Sequence, residues 1–162
     1  MRKKIKVGDV FKISFVEDQF LIGQVLEVIR SNIHIVVFDK IYQKNDIIDY
    51  ETVLLNEVII STTTLPTFFK LKRWEVLTNL KPLDQNKYIP KYKIETNDGV
   101  FMSDIKGKII RKLSEEEEDF FFFQNSFSPA SIVSGIKAFY SLIGMDEYYN
   151  KMTFDFVSKR CV

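Results

Sequence analysis

The stretch VGDVFKISFVEDQFLIGQV, Val7 to Val25, decides the fold class. Phe11, Ile13 and Phe15 alternate with Lys12 and Ser14, a period of two that places apolar side chains on one face of a strand. Glu17, Asp18 and Gln19 predict a turn, and FLIGQVLEVI resumes as a strand with apolar residues on both faces. Gly23 inside that strand predicts a bulge or a bend, the device by which a small barrel turns a corner. IHIVVFD predicts a third strand after a turn at Ser31 and Asn32, completing an antiparallel meander.

Outward from this meander the pattern stays mainly β. The region from Lys40 to Glu57 reads as a loop with a short helical turn, followed by strands in EVIIS and in TFFKLKRWEVL, where Trp74 and Val76 share a face. Pro82 and Pro90 impose extended or turn geometry. Asn97, Asp98 and Gly99 predict a hairpin turn, and GKIIRKL a further strand. Ser128 is an N-cap and Pro129 a first helical residue, with Ile132, Val133, Ile136, Phe139, Tyr140 and Ile143 on one helical stripe and Gly144 placed to stop it. A second short helix from Asp146 carries Tyr149 and Met152. The expected fold is α+β, mainly β: a strongly bent antiparallel sheet or small SH3-like β-barrel with a C-terminal amphipathic helix. At 162 residues one domain is expected over 1–162, with a β-rich body about 5–113, an acidic loop about 114–119 and a helical part about 128–152.

Composition narrows the function classes. Lysine and arginine number 23 against 22 acidic residues, so the net charge of +1 supplies no field to steer the chain onto nucleic acid or an anionic membrane. The single cysteine, Cys161, excludes an intramolecular disulfide and a multi-cysteine zinc site, and suits a reducing compartment. The basic start MRKKIKVGDV lacks the apolar segment of a signal peptide because Asp9 and Lys12 interrupt it, so a cytoplasmic, untargeted protein is expected. The longest notable pure apolar run is the four residues Phe120 to Phe123, far short of a membrane span.

Candidate chemistry is sparse. His34 is the only histidine, sits inside a strand, and has no Ser or Cys placed beside it by the sequence, which points to a structural role. Ser134 and Lys137 meet a Ser-x-x-Lys spacing without the companion motifs of penicillin-interacting enzymes. The carboxylate pairs Glu17 with Asp18 and Asp46 with Asp49 fall in turns, where turn chemistry accounts for them. No phosphate loop, dinucleotide fingerprint or metal motif occurs, and neither a cofactor nor a metal is expected. Two basic clusters remain: Arg2, Lys3, Lys4 and Lys6, and Lys70, Lys72 and Arg73 beside Phe68, Phe69 and Trp74. They match a single-strand-binding surface, against which the near-neutral charge weighs. Glu115, Glu116, Glu117, Glu118 and Asp119 form an acidic run that reads as a solvated loop or as a mimic of phosphates for a cationic protein, directly before the aromatic run from Phe120.

Taken in order, KVGDVFKISFVEDQFLIGQVLEV, VVFD, RWEVLTNLKPL, YIPKYKI and the closing Ser-Pro helix resemble the immunity protein 26 family, over roughly Lys6 to Ile143. Gly8, Asp9, Gly23, Gln24, Val25, Trp74 and Pro82 carry the resemblance and look like fold determinants. It implies a bacterial antidote that binds a cognate toxin domain of a polymorphic toxin system, with no catalytic constellation of its own. The partner contact is expected at Glu115, Glu116, Glu117, Glu118, Asp119 and Phe120, since many toxin domains are nucleases with basic clefts. VGDVFKI also resembles the opening strand of endoribonuclease toxins of the MazF and PemK type, but their following Arg-Pro strand is missing. That alternative leaves a nucleic-acid-binding barrel. The oligomeric state stays open.

Overall fold

A computed structural model describes residues 4–162, so Arg2 and Lys3 of the basic N-terminal cluster lie outside the described residues. The elements, in chain order, are β1 (Asp9–Val16), β2 (Gln19–Ile29), β3 (Asn32–Phe38), β4 (Tyr42–Gln43), α1 (Tyr50–Val53), β5 (Val58–Thr64), α2 (Thr67–Lys70), β6 (Trp74–Asn79), α3 (Gln85–Tyr88), β7 (Tyr92–Thr96), β8 (Gly99–Ser103), β9 (Ile109–Lys112), α4 (Glu115–Glu118), α5 (Pro129–Phe139), α6 (Glu147–Asn150) and α7 (Phe154–Ser158). The main sheet runs β5-β3-β2-β1-β6 with β4 attached to β2, all pairs antiparallel, and a second sheet runs β7-β8-β9. The mainly-β α+β fold is as expected, and of the two arrangements the open sheet is the one formed: β5 and β6 end the path without meeting.

Both faces of the open sheet are buried. On one face Phe11, Ile13, Leu21, Val25, Ile33 and Ile35 pack under Ile132 and Ile136 of α5. On the other, Val10, Ile22, Leu26, Val36 and Phe38 lie beneath the segment that carries Leu80, Leu83, Tyr88 and Ile89. The β5 edge is closed by the C-terminal chain: Phe127 N–H donates to the Thr63 carbonyl at 2.9 Å and Ser61 N–H to the Met152 carbonyl at 3.0 Å. Covering an edge in this way removes a template for unwanted strand pairing.

Gly23 is needed for space, and no bulge occurs there. It pairs with Phe11 and Val37 in unbroken register, and the irregularity in β2 falls between Val25 and Glu27. A Cβ at Gly23 would come within 2.7 Å of the Phe11 ring and 2.8 Å of the Val36 carbonyl. The Phe11 ring lies across the strand there and stacks on Trp74 with centroids 5.3 Å apart.

Residues 67–73 are a helical turn instead of the expected strand, and Trp74 is the reason. Phe68 and Phe69 both meet its ring edge-on, at 5.6 and 5.5 Å. Adjacent residues of a strand point to opposite faces; a helical turn lets both reach one ring. Lys72, at φ 57, ends the turn, with Arg73 N–H donating to the Phe68 carbonyl at 2.8 Å. Trp74 Nε1–H is buried without a hydrogen-bond partner, a condition that costs about 1–3 kcal/mol.

Further expectations hold, and some shift. Glu17 and Asp18 make the first turn, the Asn97-Asp98 turn joins β7 to β8, and Ser128 caps α5 with its Oγ accepting the Ser131 N–H at 3.0 Å. The second turn is Arg30-Ser31, one residue earlier than expected, because Asn32 already pairs with Ile29. Gly144 does not end α5. The helix closes at Phe139 through Ser141 at φ 60, with Leu142 N–H donating to the Lys137 carbonyl at 2.8 Å, which leaves Phe139 and Ile143 partly exposed.

His34 faces the second core, wholly buried, with Nδ1 3.1 Å from Thr63 Oγ1 and Nε2 2.9 Å from Ser61 Oγ. Ser61 donates its own proton to the Tyr88 carbonyl at 2.5 Å. The imidazole therefore donates from Nε2 and accepts at Nδ1, the neutral tautomer, and burial pushes its pKa down to about 3 despite the nearby Tyr88 carbonyl.

Two predictions test this packing. Gly23→Ala should lower unfolding stability in urea by about 1–3 kcal/mol through overpacking. His34 takes up its proton in the unfolded chain near pH 6.5 but in the folded chain only near pH 3, so its contribution is complete above pH 6.5 and lost as the pH falls toward 3. Between pH 7 and pH 5 the wild type should lose about 2 kcal/mol from this group. His34→Gln should lack that component in urea melts at the two pH values.

Candidate functional site

The acidic run forms α4, a single helical turn in place of the expected loop. Ser114 caps it: its Oγ accepts the Glu117 N–H at 3.4 Å while the Glu117 carboxylate accepts the Ser114 N–H at 3.0 Å. Arg111 of β9 grips the same carboxylate with two bonds of 2.8 and 2.6 Å, and these bonds hold the Glu117 carboxyl down at about 2. Glu117 is thereby committed to fixing the turn. Glu115, Glu116 and Asp119 are exposed, and Glu118 is half-buried with its carbonyl accepting from Lys93 Nζ at 2.7 Å.

The aromatic run after α4 divides between core and surface. Phe121 packs with Met102 and Leu113 in a small core under the second sheet, and Phe122 meets Tyr92 edge-on. Phe120 and Phe123 remain 40 % and 51 % exposed, so two large apolar side chains stand at the surface beside the free carboxylates. Arg160, near the C-terminus, holds this arrangement together. Its Nε donates to the Phe120 carbonyl and its Nη1 to the Phe156 carbonyl, both at 2.8 Å, while the guanidinium lies over the rings of Phe156, Phe120 and Phe122 at 4.1, 4.7 and 5.2 Å.

Between these groups and β5 opens a cavity of about 340 Å³. Asp119, Phe120, Phe123, Asn125, Lys151 and Arg160 form its rim, with Ser61, Thr63 and Tyr92 deeper inside. The arrangement offers an aromatic slot with the Asp119 carboxylate and the cations Lys151 and Arg160 at its mouth, suited to receiving a side chain from another molecule. Glu115–Phe120 and the aromatic run to Phe123 stand out in the sequence, whereas Lys93 and Arg160 reach them from elsewhere in the chain without any local motif.

The other candidates have structural duties. His34 does acquire a serine neighbour that the sequence could not show, but the proton count leaves Ser61 without a base: the imidazole donates to that hydroxyl. Asp18 pairs with Lys44 at 3.4 Å, Asp46 accepts the Gln43 N–H at 2.7 Å, and Asp49 caps α1. Burial raises the Cys161 thiol to about 11, far from a reactive thiolate at neutral pH. Among the described residues no group of three or more His, Cys, Asp or Glu is placed to hold a metal ion, and no helix is long and apolar enough to cross a membrane.

The residues carrying the family resemblance gather around the start of β1 and the neighbouring core. Gly8, at φ 87, donates to the Val25 carbonyl at 2.8 Å and accepts from Leu80 N–H at 2.9 Å. Asp9 is buried and accepts from Lys6 N–H and from Asn79 Nδ2, both at 2.9 Å. Gln24, fully buried, donates to the Leu80 and Lys81 carbonyls at 3.4 and 3.2 Å and accepts the Leu83 N–H at 3.1 Å, which pins the turn around Pro82 over the second face. These are fold determinants, as their sequence context suggests, and none belongs to the acidic surface.

No curated protein and no solved structure matches the chain. The family model of immunity protein 26 matches residues 6–100, more than half of the 162 and inclusive of all seven of those positions. It stops short of α4 and α5. On the strength of this match, the chain belongs to the immunity protein 26 family.

Proposed function

We propose that this protein is a cytoplasmic antidote of a bacterial polymorphic toxin system, which binds a cognate toxin domain and blocks its active site by contact, without chemistry of its own. The family membership carries the reading. The partner surface we assign is Glu115, Glu116, Glu118, Asp119 and Phe120 with Phe123, while Glu117 keeps the turn rigid. Four carboxylates outside the Arg111 pair give the field that steers a cationic cleft, and exposed phenylalanines at a cavity mouth supply the apolar anchor. The scaffold residues lie within 6–100, whereas α4 lies beyond it. The open sheet does not form the closed barrel of the nucleic-acid-binding alternative.

Co-expression with the toxin domain encoded beside it should restore growth, and the two should co-purify; a folded protein that fails to rescue overturns the antidote reading. Reversing charge at Glu115, Glu116, Glu118 and Asp119 to lysine should slow association about tenfold or more at low salt, with the difference shrinking as salt rises. Association rates unchanged across salt concentrations would remove this segment from the interface.

A further inference from the structure

A second cavity, of about 850 Å³, lies among the β2–β3 turn, α2 and the start of β6, and shares no residue with the acidic surface. Lys4, Arg30, Lys70 and Lys72 stand around it, and none has an ion-pair partner among the described residues. Its floor is apolar, made by Val28, Ile33, Phe69 and Val76 together with Trp74, whose indole N–H is the one buried side-chain donor without an acceptor among the described residues. Arg30 at φ 50 and Lys72 at φ 57 occupy left-handed backbone positions where glycine or asparagine is the usual occupant. The turns alone do not call for cations there.

We propose that this cavity docks an acidic protein segment bearing an apolar side chain: carboxylates meet the four cations and the apolar group enters over Phe69 and Val76. Charge complementarity selects the anion. A single-stranded nucleic acid fits less well, because its bases need free ring faces for stacking. Here Phe69 is engaged by Phe11 and Trp74, Phe68 lies under Arg73, and Trp74 is only 2 % exposed. The surface is separate from the acidic one and does not depend on the antidote reading.

Trp74 is the only tryptophan, so its emission reports directly on the site. Full-length protein is titrated with the peptide acetyl-Glu-Glu-Phe-Glu-Glu-amide, with its Gln-for-Glu counterpart, with oligothymidylate and with phosphatidylglycerol vesicles. The acidic peptide should shift the emission saturably, and its affinity should fall roughly tenfold from low salt to about 0.2 M. Lys70→Glu with Lys72→Glu should abolish the shift while leaving the urea midpoint unchanged, since both side chains are exposed. Equal binding of the Gln peptide, retained binding by the double variant, or tighter binding of oligothymidylate or vesicles overturns the proposal.

Discussion

The buried amide of Gln24 is the interaction on which the rest of the architecture depends. It sits in the middle of the central strand, on the face opposite α5, and a polar group there must be paired to be tolerated. Its three partners all come from residues 80–83, so satisfying one side chain draws a whole segment across the second face of the sheet. Gln85 extends the attachment by donating to the Leu26 carbonyl at 2.5 Å. With that face covered, β2 is buried on both sides, and Tyr88, Ile89, Tyr92 and Phe154 join the second core behind it.

A chain with almost no net charge carries an acidic surface and a basic cavity that share no residue. The acidic turn is built by β9, α4 and the C-terminal Arg160, and the basic cavity by the β2–β3 turn and α2. In each case rigid neighbours hold the surface. Arg111 and Ser114 fix α4, while Trp74, Phe68 and Phe69 fix α2. Binding through such pre-formed turns loses less conformational entropy than ordering a free loop.

Local pattern made much of the fold legible. The alternation in β1, the two-sided apolar run of β2, the turns at Asp18 and Asn97, and the Ser128-Pro129 helix start are all short-range signals, and all are present as expected. The helix ends were not legible. Both α2 and α5 close through a left-handed residue that is not glycine, Lys72 and Ser141, so the usual signal is missing and Gly144 misleads. The acidic turn was hidden for a related reason. A run of like charges disfavours a helix in isolation, and only Arg111, six residues upstream, and the Ser114 cap reverse that preference.

The candidate site divides in the same way. Its carboxylates and Phe120 could be named from the chain alone because charge and aromaticity are properties of the residues themselves. Which phenylalanines of Phe120–Phe123 stay outside, that Arg160 binds across them, and that Ser61 donates away from His34 depend on contacts between distant segments. By itself the sequence determined most of the strands and the turn at Glu17 and Asp18, which follow from periodicity and local backbone chemistry, and its resemblance to a family pointed to key residues that act as scaffold. Tertiary structure alone decided that the sheet stays open, that the aromatics at 68 and 69 wind around one tryptophan, and which charges are left free. Each of those outcomes is set by side-chain contacts that periodicity does not encode: Gln24 with residues 80–83, Trp74 with Phe68 and Phe69, and Arg111 with Glu117.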